Sequence, residues 1–245
     1  MQHKVVLITG GAKRVGAGLA RYLHARGWKV LLHYRSSALA AEQLADELNA
    51  IRPASVALAQ LDLLDTARLP ELVTAAVAAF GRLDAVVNNA SSFFPTPMGA
   101  FSELAWLDLL GSNLKAPLFL AQAAAAELKK TGGAIVSIAD IHADRPYKNH
   151  TIYTIAKAGL VAMTKSLARD LAPEVRVNAV APGANIWPEG ESVFDEAERE
   201  RIIDTIPLAR NGSPEDLAQA IHFLLEAPYL TGVILPVDGG RSVVL

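Results

Sequence analysis

Apolar positions along the chain fall into short β-branched runs that alternate with longer alanine-rich segments. The short runs are almost continuously apolar, which is typical of strands buried on both faces of a parallel sheet. They predict strands at Lys4–Ile8, Lys29–His33, Ser55–Ala59, Leu83–Val87, Gly133–Ala139, Glu174–Val180 and Val233–Val237. The longer segments repeat at helical spacing and predict helices at Val15–Arg26, Ala38–Ile51, Thr66–Phe80, Ser112–Lys130, Tyr153–Leu171 and Pro214–Leu225. This order predicts an α/β fold, a doubly wound sheet of about seven parallel strands with helices on both faces.

The composition indicates one large domain spanning residues 1–245. With 245 residues, 51% of them hydrophobic, the chain can bury a substantial core, and no repeat or linker divides it. The absence of cysteine and of any H-x-x-x-H pair argues against a metal site. The net charge of -2 comes from 23 basic and 25 acidic residues that are scattered, which favours neither nucleic acid nor membrane as a partner. Since no signal segment or long apolar run is evident, we expect a soluble, cytoplasmic protein.

A glycine-rich turn follows the first strand, in the sequence T-G-G-A-K-R-V-G-A-G from Thr9 to Gly18. Glycines at a strand-to-helix turn let backbone amides approach a pyrophosphate at the positive end of the helix, as in Rossmann-type folds. Lys13 and Arg14 stand at this helix start, where the helix dipole opposes cations, so a bound anion would explain them. A tight turn with solvated charges is the alternative.

The residues after the second strand favour NADPH over NADH. An Asp or Glu usually meets the ribose of a cofactor that lacks the 2′-phosphate, and H-Y-R-S-S contains neither. Arg35, Ser36 and Ser37, together with Arg14, instead offer cationic and hydroxyl donors for a phosphate. Ser36 or Ser37 would at the same time be suited to cap the next helix.

Two further strand ends contain candidate ligand contacts. Asp62 in L-D-L-L-D is suited either to an adenine amino group or to capping the helix that starts near Thr66. The fourth strand runs into the polar, proline-bounded loop Asn88–Pro97, and ligands of doubly wound folds bind at such loops. Two adjacent aromatics, Phe93 and Phe94, are unlikely to share one core position, so at least one of them is expected to line a pocket and stack on a flat ring.

Tyr153 and Lys157 form the candidate proton-transfer pair. They stand four residues apart in T-I-Y-T-I-A-K, so they share one face of the predicted helix. An ammonium beside a phenol favours its ionised form. The pair is also compatible with an ordinary exposed helical contact, because Y-x-x-x-K is a common pattern.

Taken together, the motifs resemble the short-chain dehydrogenase/reductase family over nearly the whole chain. The matching pieces are the glycine-rich turn, Asp62, N-N-A at Asn88–Ala90, Asn113 in N-L-K-A-P, Tyr153 and Lys157, P-G at Pro182–Gly183 and V-D-G-G at Val237–Gly240. The resemblance implies that Tyr153 donates a proton. It also implies that Lys157 lowers the pKa of that tyrosine and holds the nicotinamide ribose, and that Asn113 holds a relay water.

Two departures from the family pattern change the expected chemistry. Arg14 replaces a glycine of T-G-x-x-x-G-x-G, and the position 13 residues before Tyr153, normally serine, is Asp140. Ser137 is out of register by three residues. A serine hydroxyl can donate a hydrogen bond to a ketone, whereas a carboxylate only accepts and favours a C=N group that gains a proton. Asp140 is expected to raise the pKa of Tyr153 and to titrate together with Tyr153 and Lys157.

This combination resembles the pteridine reductases, which implies NADPH-dependent reduction of a dihydropterin and a homotetramer. The likeness extends to S-S-F-F-P-T-P, H-Y-R-S and P-L-A-R. It implies a substrate site of Arg14, Ser91, Phe93, Asp140, Tyr153 and Trp187, with a substrate loop at about 184–205. Trp187 is equally suited to anchoring the surface. The implied cofactor contacts are Gly10, Lys13, Arg14, Val15, Gly16, His33, Tyr34, Arg35, Ser36, Asp62, Leu63, Asn89, Ala90, Pro182 and Gly183. The apolar C-terminal tail favours a subunit contact.

Two other functions fit parts of the pattern. A carbonyl reductase, such as a 3-oxoacyl or sugar ketone reductase, would use the same fold and the same Tyr153 and Lys157. A non-catalytic NADPH-binding protein would keep the nucleotide site, but it would be expected to have lost the tyrosine or the lysine.

Overall fold

The computed structural model describes residues 3–187 and 195–244, which form a seven-stranded parallel sheet in the order β3-β2-β1-β4-β5-β6-β7. The strands are β1 Val5–Ile8, β2 Lys29–Tyr34, β3 Val56–Gln60, β4 Ala85–Asn88, β5 Ala134–Ile138, β6 Arg176–Pro182 and β7 Ile234–Val237. The helices are α1 Arg14–Ala25, α2 Ala38–Ile51, α3 Pro70–Phe80, α4 Glu103–Leu110, α5 Ala116–Thr131, α6 Thr151–Asp170, α7 Glu196–Asp204, α8 Pro214–Glu226 and α9 Arg241–Val244. The predicted doubly wound α/β fold is confirmed.

Alternation along each strand divides the core between the two faces of the sheet. Val6 and Ile8 of β1 pack into one cluster with residues of α1, α2 and α8, while Val5 and Leu7 pack into a second cluster with α3, α5 and α6. The central strands β1 and β4 are buried along their whole length, and this double burial is the reason that they appear as continuous apolar runs.

The strand order reverses between β1 and β4, which pair in parallel. Connections from these two strands leave in opposite directions, so a crevice opens beyond their carboxyl ends. The glycine-rich turn follows β1 and the Asn88–Pro97 loop follows β4. The topology therefore brings these two predicted ligand-binding segments together.

Three helices, α4, α7 and α9, were missed by sequence reasoning, and two predicted helix starts were misplaced. The helix predicted at Ser112–Lys130 is part of a longer helical run, in which α4 leads through a wide π turn at Gly111–Lys115 into α5. Helix α7 occupies part of the predicted loop 184–205, and residues 188–194 of that loop lie outside the described residues. The segment predicted from Thr66 is a short 3-10 turn at Thr66–Arg68 followed by α3, which starts at Pro70.

The physical reasons for these errors differ. Leu104 and Leu107 of α4 are 79% and 63% exposed, so its apolar residues do not form the one-sided stripe that predicts a buried helix face. Helix α7 is too charged to show any apolar period. Its start signal is local: the Asp195 carboxylate accepts a hydrogen bond from the Glu198 amide. None of the helices in the described parts of the chain has the length and apolar character needed to cross a bilayer.

Candidate active site

A cavity of about 740 Å³ lies at the carboxyl ends of the strands, beside the switch between β1 and β4. All the predicted cofactor and substrate residues line it. The lining therefore includes Gly10, Lys13, Arg14, Val15, Gly16, His33, Tyr34, Arg35, Ser36, Asp62, Leu63, Asn89, Ala90, Ser91, Phe93, Pro182, Gly183 and Trp187. Asp140, Tyr153 and Lys157 also line the cavity, whereas Asn113 lies behind its wall.

Tyr153 and Asp140 form a short hydrogen bond at one end of this cavity. The phenol Oη of Tyr153 donates to Oδ2 of Asp140 at 2.6 Å, while Oδ1 of Asp140 accepts from the His142 amide at 2.9 Å. Burial raises the pKa of Tyr153 well above its ordinary value, and the charge and hydrogen bond of Asp140 raise it further. The pair therefore holds a proton that can pass to a group bound in the cavity.

Lys157 is fully buried one turn after Tyr153 on α6. Its Nζ atom donates to the Ile138 carbonyl at 2.8 Å and lies 5.6 Å from the centre of the Tyr153 ring. Burial lowers the pKa of Lys157 to about 8, against an opposing effect of Asp140. The high pKa of Tyr153 thus reflects burial and Asp140, and the lowering effect expected from Lys157 is not among its causes.

Asn113 is buried within the π turn and has its side chain occupied by protein groups. Its amide nitrogen donates to the carbonyls of Ser92 and Leu109, each at 2.9 Å, and its amide oxygen accepts from the Ser91 hydroxyl at 2.6 Å. Asn113 therefore positions the loop after β4 from behind. The role of holding a relay water stays a prediction.

The glycine-rich turn is braced by two side chains that were predicted as cofactor contacts. The Gly10 amide donates to Nδ1 of His33, whose Nε2 lies 3.0 Å from the Leu61 carbonyl, so both ring nitrogens are used within the protein. The amide nitrogen of Asn89 donates to the carbonyls of Thr9 and Gly10. His33 and Asn89 therefore fix the shape of the turn that would hold a pyrophosphate.

Arg14 begins α1 in the left-handed region, with a φ of 53°. Glycine adopts this conformation without strain, which explains the glycine of the family pattern at this position. The guanidinium Nη2 donates to the carbonyls of Ile186 and Trp187 at 3.1 and 3.0 Å. Arg14 thereby connects the cofactor turn to the wall of the cavity formed after β6.

The end of the cavity opposite Tyr153 and Asp140 has side chains suited to the 2′-phosphate on the adenosine of NADPH. Lys13, Arg35 and Ser36 are exposed there, and the side chain of Arg35 has no hydrogen bond or ion pair with residues 3–187 or 195–244. Ser37 lines the same end and occupies the N-cap position of α2, but its side chain makes no capping bond. Asp62 accepts from the Leu64 amide, so it closes a local turn and does not cap the helical turn at Thr66. Its predicted contact with adenine is left open.

The ring of Phe93 is held in the wall of the cavity by two other rings. His150 stacks on it with centroids 4.6 Å apart and planes at 12°, and Tyr153 meets it in a T-shaped contact at 4.9 Å. One face of Phe93 is therefore covered by His150, and the residue still lines the cavity. Phe94 belongs with Phe93 to the small apolar cluster around Leu109 and Tyr153.

Comparison with known proteins places the whole chain in one family. A family model described as enoyl-(acyl carrier protein) reductase matches residues 10–242. The chain belongs to the short-chain dehydrogenase/reductase family. It is 39% identical to pteridine reductase 1 of Leishmania tarentolae, with 97% of this chain and 96% of that protein covered.

Two other short-chain dehydrogenases/reductases show how widely the similarity extends. The chain is 37% identical to L-rhamnose 1-dehydrogenase (NAD(P)(+)) of Azotobacter vinelandii, over 98% of this chain and 97% of that protein. It is 32% identical to the 3-oxoacyl-(acyl-carrier-protein) reductase FabG of Staphylococcus aureus, over 97% of each. Family membership confirms that the chain is an oxidoreductase with NADPH as its cofactor.

The cavity of this short-chain dehydrogenase/reductase also contains residues outside the predicted sites. They are Ala12, Leu64, Asp108, Ser112, Ile138, Ala139, His142, Tyr147, Leu217 and Arg241. Ala184, Asn185, Ile186 and Ile202 line it as well and lie within the predicted loop 184–205, and Ser92 lies within the predicted loop Asn88–Pro97. Arg241 had one usable signal, since a charged residue after V-D-G-G interrupts an otherwise apolar tail. Tyr147 had none, because only the folded chain brings the loop before α6 to the cavity.

Proposed function

We propose that the chain is a pteridine reductase, which reduces a dihydropterin to the tetrahydropterin with NADPH. The observation that supports this most directly is the 2.6 Å hydrogen bond from Tyr153 to Asp140. A carboxylate stands where reductases of simple ketones in this family have a serine hydroxyl. Ser137, the nearest upstream hydroxyl, is fully buried in β5, bonded to Asn88 and absent from the cavity lining.

The chemistry of a C=N bond suits this arrangement. NADPH supplies a hydride to the carbon of that bond. The nitrogen takes up a proton, which the Tyr153–Asp140 pair can deliver because a short bond holds it between two oxygens. Lys157 keeps a buried positive charge beside the pair and can donate to ribose hydroxyls of the cofactor. A carboxylate gives no hydrogen bond to a ketone oxygen, so carbonyl reduction is less well served.

The pocket walls fit a flat, polar heterocycle. Phe93 lines the cavity and would offer an aromatic surface, and Ser91, whose hydroxyl donates to Asn113, would offer its oxygen as an acceptor. Arg14 and Trp187 would close the pocket at its phosphate side, since Arg14 bonds the backbone of Trp187. Within the single domain 1–245, we assign residues 184–205 as the substrate loop, because Trp187 and Ile202 both line the cavity.

The assignment is tested by the rate of NADPH oxidation with dihydrobiopterin, dihydromonapterin and dihydrofolate, and with a panel of simple ketones. We expect turnover of at least one pterin and its loss by roughly 100-fold or more in Tyr153→Phe, which removes the proton donor. Failure with all three pterins together with turnover of ketones would establish a carbonyl reductase instead. Tight NADPH binding without turnover of either class would establish a non-catalytic protein.

Replacing the carboxylate distinguishes the two enzyme classes within one protein. We expect Asp140→Ser to lower pterin turnover and to raise ketone turnover, because the hydroxyl donates where the carboxylate accepts. Asp144→Ser is the matched control, since Asp144 is exposed four residues away and does not line the cavity. If pterin turnover is unchanged in Asp140→Ser, the carboxylate has no part in the reaction.

We further propose that the protein is a homotetramer. Large apolar side chains are exposed together on α4 and α5, with Leu104 at 79%, Leu107 at 63% and Phe119 at 38%. A second exposed pair, Val243 and Val244, lies on the C-terminal helix α9. Two separate apolar surfaces on one subunit are what two different symmetric contacts would need.

A further inference from the structure

Arg241 lies in the wall of the cavity and takes no part in the proposed hydride and proton transfer. It follows β7 through a tight turn in which Gly239 and Gly240 have φ values of 65° and 87°. Asp238 fixes this turn, since its two carboxylate oxygens accept from the amides of Gly240 and Ser242. The turn reverses the chain, so that the side chain of Arg241 points back to the cavity that it lines.

The guanidinium of Arg241 is buried without a full set of partners. The residue is only 6% exposed, and its Nε donates to the Thr205 hydroxyl at 3.1 Å. Its two terminal nitrogens have no hydrogen bond or ion pair with residues 3–187 or 195–244. These nitrogens therefore face the cavity that Arg241 lines, where an anionic ligand would complete their bonding.

The neighbouring carboxylates do not bond the terminal nitrogens of Arg241. Asp140 and Asp238 act on Arg241 through their fields, but neither forms an ion pair with it. Asp140 is occupied by Tyr153 and the His142 amide, and Asp238 by its own turn. Burial lowers the pKa of Arg241, while Tyr147, Asp140 and Asp238 oppose this effect, and a guanidinium remains cationic in any case. The cation is therefore available to an anion in the cavity.

We propose that Arg241 is a specificity-determining residue that binds a carboxylate on the substituent of the dihydropterin. A guanidinium fork matches a planar carboxylate with two parallel hydrogen bonds, which a neutral hydroxylated substituent does not provide. Tyr147 and Ile202 line the same cavity. The hydroxyl proton of Tyr147 is donated to Glu198, so we assign the binding of the carboxylate to Arg241. This inference rests on the proposed pterin reduction and names the class of pterin that the site favours.

The test compares substrates that differ only in charge at the substituent. Dihydropteroate carries one carboxylate, and its carboxamide is the neutral match. We expect the unmodified protein to show a KM for the carboxamide roughly 10-fold or more above that for dihydropteroate, with similar kcat, because charge-assisted bonds are lost. Equal KM values would overturn the proposal without any variant.

The variant Arg241→Gln should remove the same discrimination. We expect kcat/KM for dihydropteroate and dihydrofolate to fall roughly 10- to 100-fold and that for dihydrobiopterin, whose substituent is neutral, to stay within about 3-fold. Arg169→Gln is the matched control, because Arg169 is exposed at the end of α6 and changes the charge equally. The Tm and NADPH affinity of each variant show whether it folds.

The outcomes separate this proposal from the proposed function. Loss of activity by the same factor with neutral and anionic pterins, accompanied by a shifted pH profile, would mean that Arg241 acts on the Asp140–Tyr153 pair and would overturn the substrate role. Turnover of all pterins without dependence on charge would overturn only the Arg241 proposal. Absence of turnover with every pterin would overturn the pteridine reductase assignment and this proposal with it.

Discussion

At the residue scale, the site depends on three neighbouring polar groups, of which Tyr153 and Lys157 are buried and Asp140 is half-buried. Tyr153 donates to Asp140, and Lys157 donates one hydrogen bond to a backbone carbonyl. The pKa values move in opposite directions, up for the phenol and down for the ammonium, and burial is the main cause of both. The consequence is a pH dependence that belongs mainly to Lys157.

NADPH binding should weaken as the pH rises through about 8. The pKa of Lys157 is lowered to about 8, so the ammonium is present below that pH and is lost above it. If only the charged form donates to the cofactor, the Kd should be roughly 10-fold higher at pH 9 than at pH 7. Titration of the NADPH affinity from pH 6 to 10 measures this.

The variant Lys157→Arg isolates the titrating group, since a guanidinium keeps its charge throughout the range. Its NADPH affinity should be nearly independent of pH between 7 and 9. The same linkage affects folding: between about pH 8 and the ordinary lysine pKa the unfolded chain binds more protons, so the Lys157 contribution to stability increases with pH. A wild-type affinity that does not change up to pH 10 would contradict the assignment of Lys157.

His150 should control the position of Phe93. Its imidazole stacks on the ring, while Nδ1 lies 2.8 Å from the Lys148 carbonyl. We expect His150→Ala to raise the pterin KM several-fold with a smaller effect on NADPH affinity, because ring stacking contributes about 1 kcal/mol. His150→Phe restores a flat neighbour and should recover most of the affinity. Steady-state kinetics with varied pterin checks both, and equal effects of Ala and Phe would argue against stacking.

At the element scale, the start of α1 combines a strained backbone with a cation that bonds the wall of the cavity. Arg14 has a φ of 53° and bonds the carbonyls of Ile186 and Trp187. We expect Arg14→Gly to unfold at a higher temperature than Arg14→Ala, by about 1 kcal/mol in stability, since glycine relieves the strain that alanine keeps. Both variants lack the guanidinium, so both should bind NADPH and pterin more weakly than the wild type. Thermal melts and NADPH titrations measure the two effects separately.

The capping box of α8 stabilises the helix that packs on α1. The Ser213 hydroxyl accepts from the Asp216 amide, and the Asp216 carboxylate accepts from the Ser213 amide and from Arg210. We expect Ser213→Ala to lower the free energy of unfolding by about 1 kcal/mol. Ser166→Ala, on the exposed surface of α6, should have no measurable effect. Denaturant unfolding of the two variants compares them directly.

Local signals also explain which elements could be predicted. Helix α8 begins at the predicted Pro214 because the capping box at Ser213 and the apolar period agree there. Helix α2 begins at the predicted Ala38 on its apolar period, since the Ser37 side chain makes no capping bond. Helices α4 and α7 were missed since exposed leucines obscured one period and charge removed the other. Asp195 followed by Glu198 was a readable start signal for α7.

At the scale of the whole molecule, association should depend on the apolar surface of α4 and α5. We expect the wild type to have the mass of a tetramer in size-exclusion chromatography with light scattering. The variant Leu107→Glu, at a position 63% exposed in the single chain, should dissociate because a charge is then buried at the contact. Ile51→Glu is the matched control, since Ile51 is 72% exposed at the end of α2, outside both proposed contacts. A monomeric wild type would contradict the proposed tetramer.

The sequence by itself determined the order of strands and helices, the cofactor turn and the identity of Asp140, Tyr153 and Lys157. These features depend on local periodicity and on motif spacing, which are properties of the linear chain. The replacement of a serine by Asp140 is evident from counting 13 residues back from Tyr153 in the linear chain. The count is meaningful because the two positions lie just after β5 and at the start of α6.

Only the tertiary structure decided how these groups interact. Reversal of strand order between β1 and β4 brings distant loops to one cavity, and the enclosure of that cavity shifts the pKa values of Tyr153 and Lys157. The same packing gives Asn113 and His33 a structural part, because their polar atoms form hydrogen bonds with the loop after β4 and with the glycine-rich turn. It also buried Arg241 in the wall of the cavity, through contacts between segments that lie far apart in the chain.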